Sequence, residues 1–198
     1  MPRHSHWTRR VIGLLALALA GLVGTEARGA EADGPFPVEK GFTSLFNGRD
    51  LTGWRLGALA LDGKTETEDH RFAARDGAIV IQGGAKIEDL YTVGEFNRDF
   101  VLKLEFRAAP RANSGLYLRR KQLQVRDYAT IGPYKDLKSF KNGGWNAIEV
   151  TVKAGKAECT CNGELLEKAL ELPATGGIGL QSEIGQLEYR RIRIREEP

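Results

Sequence analysis

The stretch Asn113-Ser114-Gly115-Leu116-Tyr117-Leu118-Arg119-Arg120-Lys121-Gln122-Leu123-Gln124-Val125-Arg126-Asp127 decides the fold class. Leu116 and Leu118 alternate with Tyr117 and Arg119. Leu123 and Val125 alternate with Gln122, Gln124 and Arg126. A period of two marks a half-buried strand, because successive side chains leave a pleated backbone on opposite faces. Working outward, the period recurs in Phe100, Leu102, Leu104 and Phe106, in Ile148, Val150 and Val152, and in Ile192 and Ile194. Between these runs stand turn pairs such as Asp62-Gly63, Asp76-Gly77, Gly83-Gly84, Asn162-Gly163 and Gly176-Gly177. Asp-Gly and Asn-Gly suit tight hairpins because both positions tolerate positive φ. Glu164 to Glu171, after Asn162-Gly163, reads most simply as a hairpin return. The chain is therefore expected to be all-β, a two-sheet antiparallel β-sandwich.

The N-terminus differs in kind. Residues 2–10 carry Arg3, Arg9 and Arg10 and no acid, Val11 to Gly24 is apolar, and small residues follow. The apolar run is shorter than the roughly 18 to 20 residues that span a bilayer, so residues 1–30 read as a cleavable signal peptide. Arg9-Arg10 also fits a twin-arginine signal; an ordinary export signal is the alternative. The expected organisation is a signal at 1–30, a flexible lead-in at 31–40 and a single β-sandwich domain at 41–198. The mature protein is expected to be exported, periplasmic or extracellular, without stable membrane insertion.

Charge follows from that division. The whole chain holds 29 Lys and Arg against 26 Asp and Glu. Removing Arg3, Arg9, Arg10, Arg28 and Glu26 leaves 25 of each sign. A balanced chain offers no electrostatic footprint for nucleic acid. Cys159 and Cys161 are the two cysteines. On a strand they share a face, either as two small residues or as a disulfide, although an extended i, i+2 pair lies near the upper limit for bridging. His70 is the sole histidine after residue 30, which argues against a histidine-rich zinc site. No Asp- or Asn-rich loop shows calcium-ligand spacing, and neither metal nor cofactor is expected.

Four segments together carry a resemblance. They are Gly41-Phe42-Thr43-Ser44-Leu45-Phe46-Asn47-Gly48-Arg49-Asp50-Leu51-Thr52-Gly53-Trp54; the stretch 113–127; Gly144-Trp145-Asn146 leading to Cys161-Asn162-Gly163-Glu164; and Gly177-Ile178-Gly179-Leu180-Gln181-Ser182-Glu183 with Leu187 to Ile194. In this order they resemble the 3-keto-disaccharide hydrolase family from about Phe42 to Arg195. The resemblance implies a concanavalin A-like jelly roll, a saccharide partner on one sheet face, and hydrolase or lyase chemistry on 3-keto-glucosides.

If Leu116, Leu118, Leu123 and Val125 face the core, Tyr117, Arg119, Gln122, Gln124 and Arg126 share the other face. Glu105 and Arg107 are expected on the corresponding face of the preceding strand. An acid, several planar donors and a ring on one surface suit sugar hydroxyls; a solvated face with cross-strand charge pairs is the bland alternative. A ketone acidifies the adjacent C–H, so one general base can start elimination of the anomeric substituent. A carboxylate base needs a raised pKa to act near neutrality. Asp127 and Glu183 are the expected catalytic pair. Arg119, Gln122, Gln124, Tyr117, Arg107, Glu105 and His70 are the expected substrate contacts. The chain departs from the family pattern at Gln122, where many members carry a carboxylate; an amide takes up no proton near neutral pH. A lectin-like domain that binds saccharide without chemistry is therefore the second expectation. Trp145 is read as either a core anchor or a sugar platform.

Overall fold

The computed structural model describes Met1 and residues 36–84, 88–130 and 132–197. The signal-peptide reading falls on residues 1–30 and so, apart from Met1, lies outside the described residues. Fourteen strands are present among the described residues: β1 (Thr43–Ser44), β2 (Trp54–Leu56), β3 (Leu59–Ala60), β4 (Phe72–Arg75), β5 (Ala78–Ile81), β6 (Leu90–Thr92), β7 (Phe100–Ala108), β8 (Asn113–Leu118), β9 (Lys121–Arg126), β10 (Asn146–Lys153), β11 (Lys156–Cys161), β12 (Glu164–Glu171), β13 (Ile178–Leu180) and β14 (Leu187–Glu196). They form two antiparallel sheets. One runs β12-β11-β10-β7-β14-β5-β4, with β1 also on β14; the other runs β3-β2-β6-β13-β8-β9. This is the expected all-β sandwich of the jelly-roll kind.

The alternating positions close the core. Phe100, Leu102, Leu104 and Phe106 of β7 are at most 1% exposed, and so are Leu116, Leu118, Leu123, Val125, Ile178 and Leu180 from the facing sheet. Each such side chain contributes about 1.5–3 kcal/mol relative to leaving it in water. Several hairpins have the positive φ pairs that the sequence signalled: Asp76 (49°) with Gly77 (72°), and Asn162 (48°) with Gly163 (83°). In β14 the register shifts between Arg190 and Arg193, with Arg191 at φ 54°. That bulge resets the pleat, so Tyr189 and Ile192, three residues apart, are both fully buried. Trp54 is fully buried and its indole N–H donates to Leu45 O at 2.8 Å, which closes one end of the sandwich.

Of the lead-in expected to be flexible, residues 36–40 are described. Phe36 lies against the guanidinium of Arg191, 4.6 Å from CZ to ring centroid, and Glu39 bonds Arg193 through both carboxylate oxygens. That hydrogen bonding holds the Glu39 carboxyl down at about 2. Cys159 and Cys161 are free thiols, both buried on the core face of β11. Burial pushes both up to about 12. Among the described residues no helix is long and apolar enough to cross a membrane.

Candidate functional site

One level of the six-stranded sheet runs from strand to strand through outward-facing positions. Arg55 of β2 pairs with Tyr91 of β6, Tyr91 with Gly179 of β13, Gly179 with Tyr117 of β8, and Tyr117 with Gln122 of β9. Glycine in this row has a steric reason. A Cβ at Gly179 would come within 2.4 Å of Tyr91 Cε1, so the tyrosine ring occupies the space a side chain would need. Gly115, paired with Gln124, likewise makes room for Gln122, whose Nε2 would be 2.4 Å from a Cβ there. A cleft of about 310 Å³ opens on this face, lined by Arg55, Gly57, Glu88, Asp89, Tyr91 and Arg120 among others.

A directed hydrogen-bond chain crosses the sheet. Gln122 Nε2 donates to Gln181 Oε1 at 2.8 Å, and Gln181 Nε2 donates to the Tyr117 hydroxyl oxygen at 3.3 Å. The Tyr117 hydroxyl lies beside the Asp89 carboxylate and lowers its pKa. Asp89 Oδ1 also accepts from the backbone N–H of Ser182 at 3.1 Å. Partial burial holds the Asp89 carboxyl above its usual value. The Ser182 N–H, the Arg71 charge and the Tyr117 hydroxyl oppose that shift, and the nearby charge of Glu183 adds to it. Tyr117 is itself raised by burial and by the charges of Asp89 and Glu183. Burial pushes Tyr91 up to about 12.

Two supports fix this centre. Gly84 N–H donates to Glu183 O at 3.2 Å, and Gly83 packs so closely on Ile184 and Gly185 that a Cβ would lie 2.3 Å from the Gly185 nitrogen. Arg71, 8% exposed, donates from Nη2 to Glu88 O at 3.1 Å and pairs with Asp69, while its buried Nη1 has no hydrogen-bond partner.

The structure therefore brings Tyr117, Gln122, Gln124 and Glu183 to one face and separates the other expected residues. Asp127 is 2% exposed; its carboxylate takes the N–H of Arg111 at 2.8 Å and of Ala129 at 3.2 Å and the hydroxyl of Thr130. It follows outward Arg126 and so turns to the core side, where it ties a turn. Arg119 is also 2% exposed. Its φ of 49° swings the side chain over the Phe100 ring, and it donates to the carbonyls of Arg98 and Pro173.

Glu105 and Arg107 belong to β7 in the eight-stranded sheet. There Glu105 pairs with Arg190 at 2.8 Å and Arg191 at 3.0 Å, and Arg107 pairs with Glu188. Alternation fixes a side of their own sheet, and that side is the opposite outer surface of the sandwich. Trp145 lies on the same outer surface, between Arg107 (4.8 Å) and Arg190 (4.1 Å), as neither core anchor nor part of the cleft. His70 is exposed and pairs with Glu66 at 3.1 Å, away from the row. Asp89, Tyr91, Arg55 and Gln181 escaped the sequence reading. The available signal was the alternation Gly177-x-Gly179-x-Gln181, which marks close approach over a strand.

A carboxyl raised by burial, with a phenol beside it and flanked by amides and cations, is equipped for proton transfer on a polyhydroxylated ligand. Residues 41–195 match the domain family described as 3-keto-alpha-glucoside-1,2-lyase-like. The chain belongs to that family. Family membership marks a carbohydrate-active protein of the glycosyl hydrolase kind. No curated protein sequence matches the chain significantly. Among solved structures, a candidate glycosyl hydrolase from Parabacteroides distasonis is similar with a TM-score of 0.66 and 20% identity, over 83% of this chain and 99% of that one. A second one from the same organism gives 0.60 and 18%, over 79% and 99%. An alginate lyase of polysaccharide lyase family 7 gives 0.50 and 12%, over 75% and 96%. At these identities the likeness is one of fold.

Proposed function

We propose that this lyase-like domain acts on 3-keto-α-glucosides, with Asp89 as the base that starts elimination across C1 and C2. The observation that carries the reading is Asp89 itself: a half-buried carboxyl with a raised pKa, at the cleft, with the Tyr117 hydroxyl beside it. Asp89 takes the proton from C2, which the C3 ketone has acidified. The C2–H electron pair moves onto the ketone oxygen as an enolate and returns to form the C1=C2 bond as the C1–O bond breaks with its pair going to the leaving oxygen. In its protonated form Glu183, which lies near Asp89, supplies the proton that oxygen needs. Arg55 and Arg120, both lining the cleft, offset the charge that develops on the ketone oxygen. Gln122, Gln124 and Gln181 present amide groups to the sugar hydroxyls. Water then adds to the unsaturated product if the overall outcome is hydrolysis. Incubation with methyl 3-keto-α-glucoside, following methanol release, tests the reading; wild type releases methanol and Asp89→Asn does not. Release unaffected by Asp89→Asn refutes it.

The amide at Gln122 favours a second reading, a lectin-like domain that binds saccharide without turnover. Under that reading calorimetry shows binding of a 3-keto-glucoside, and product analysis shows the ligand intact. Export completes the proposal: residues 1–30 direct the chain out of the cytoplasm and are removed. N-terminal sequencing of the mature protein tests this, and an N-terminus at Met1 overturns it.

A further inference from the structure

The row Arg55–Tyr91–Gly179–Tyr117–Gln122 contains a feature that the proton-transfer chemistry does not use. Tyr91 is two residues along β6 from Asp89 and faces the same side, about 7 Å away at the strand rise. Its ring fills the space over Gly179: a Cβ there would come 2.4 Å from Cε1, 2.7 Å from Cδ1 and 2.8 Å from Cζ. The Tyr117 ring is beside it, with centroids 5.7 Å apart and planes tilted by only 32°. The two rings thus form one aromatic surface over a glycine floor. Arg55 lies over the Tyr91 ring, its guanidinium carbon 5.7 Å from the centroid, and Arg120, Glu88 and Glu95 stand on the cleft wall. Arg120 is carried there by a hairpin turn with positive φ at both Arg119 (49°) and Arg120 (72°), a conformation that costs a non-glycine residue about 1–2 kcal/mol at each position.

We infer that Tyr91 is the platform for a second sugar ring, the leaving-group pyranose of a 3-keto-disaccharide. This rests on the reading in which Asp89 works on the keto-glucosyl unit. A pyranose has one face of C–H groups and an equatorial belt of hydroxyls. The C–H face suits an aromatic ring, and the belt suits planar donors and acceptors at its rim. A cleft of about 310 Å³ is at the lower end of small-molecule sites, a size for a disaccharide rather than a polymer. Gly179 is the specificity-determining position, because any side chain there displaces Tyr91.

The test compares 3-keto-trehalose, whose leaving group is glucose, with methyl 3-keto-α-glucoside, whose leaving group is methanol. Tyr91→Ala raises KM about tenfold more for 3-keto-trehalose than for the methyl glucoside. Tyr91→Phe, which keeps the ring face, stays near wild type on both. Gly179→Ala reproduces the Tyr91→Ala pattern. Equal losses on both substrates, or no loss on 3-keto-trehalose, overturn the platform while methyl glucoside turnover by wild type upholds the reading beneath it. If wild type turns over neither compound, that reading fails, and calorimetry with unoxidised trehalose decides the platform alone. Binding about tenfold weaker in Tyr91→Ala supports it. Equal affinities, or no affinity in either protein, overturn it.

Discussion

The Tyr117 hydroxyl stands near enough to the Asp89 carboxylate, across the intervening strand β13, to lower its pKa, and two glutamines behind Tyr117 orient that hydroxyl. Gln181 gives its N–H to the Tyr117 oxygen, so the phenol proton is left for Asp89. Gln122 in turn gives its N–H to the Gln181 carbonyl, so Gln181 is not free to turn over. The amide at position 122 thus has a definite task in this chain.

Exchanging Gln122 for Glu reverses the chain. A carboxylate accepts from Gln181 Nε2, which turns the Gln181 carbonyl toward Tyr117 and draws the phenol proton away from Asp89. Asp89 then loses the pKa-lowering influence of the Tyr117 hydroxyl, and the carboxyl rises further. The acid limb of the pH profile of kcat/KM shifts to higher pH in Gln122→Glu. An unchanged limb contradicts the chain.

Asp89 couples activity to stability. Its folded pKa is raised, so between the unfolded value near 3.9 and the folded one the native state holds more protons, and stability falls as pH rises through that window. Asp89→Asn removes the ionisation. Its Tm exceeds that of wild type at pH 7 and converges with it below about pH 3.9. Turnover falls by about 10²–10⁴-fold in the same variant. Thermal melts across pH check the first statement and steady-state rates the second.

Asp127 behaves in the opposite way. Its buried carboxylate satisfies the N–H groups of Arg111 and Ala129 and the Thr130 hydroxyl. Asp127→Ala leaves those donors unpaired and costs about 1–3 kcal/mol in denaturant unfolding. Below its lowered Tm the variant keeps wild-type kcat/KM. A loss of activity without a loss of stability would return Asp127 to the catalytic machinery.

The two thiols are buried with their pKa values pushed up to about 12. Thiolate is the reactive form, so a native sample at pH 8 gives no titre with a thiol reagent, and two thiols appear on unfolding. Fast labelling of folded protein contradicts this placement.

Much of the sandwich was legible because period two is a local property: Phe100 to Phe106 and Leu116 to Val125 declare their buried faces without reference to the rest of the chain. Which sheet a strand joins is not local. Glu105 and Arg107 precede β8 in sequence, yet β7 pairs with β10 and β14, and their face is the far side of the sandwich. Of the expected pair, Glu183 lies near Asp89, and one step of alternation turns Asp127 to the core side. Asp89 was invisible because β6 spans only Leu90–Thr92, too short for a pattern, and its importance comes from neighbours 28 and 93 residues away in sequence, Tyr117 and Ser182.

The account stands on proton abstraction by Asp89 from C2 of a 3-keto-glucoside. The direct measurement is the rate of methyl 3-keto-α-glucoside cleavage with hydrogen or deuterium at C2, in wild type and Asp89→Asn. The account predicts a primary isotope effect on kcat/KM in wild type and a loss of at least about 10²-fold in the variant. Cleavage with no isotope effect, at a rate that Asp89→Asn leaves unchanged, would contradict it.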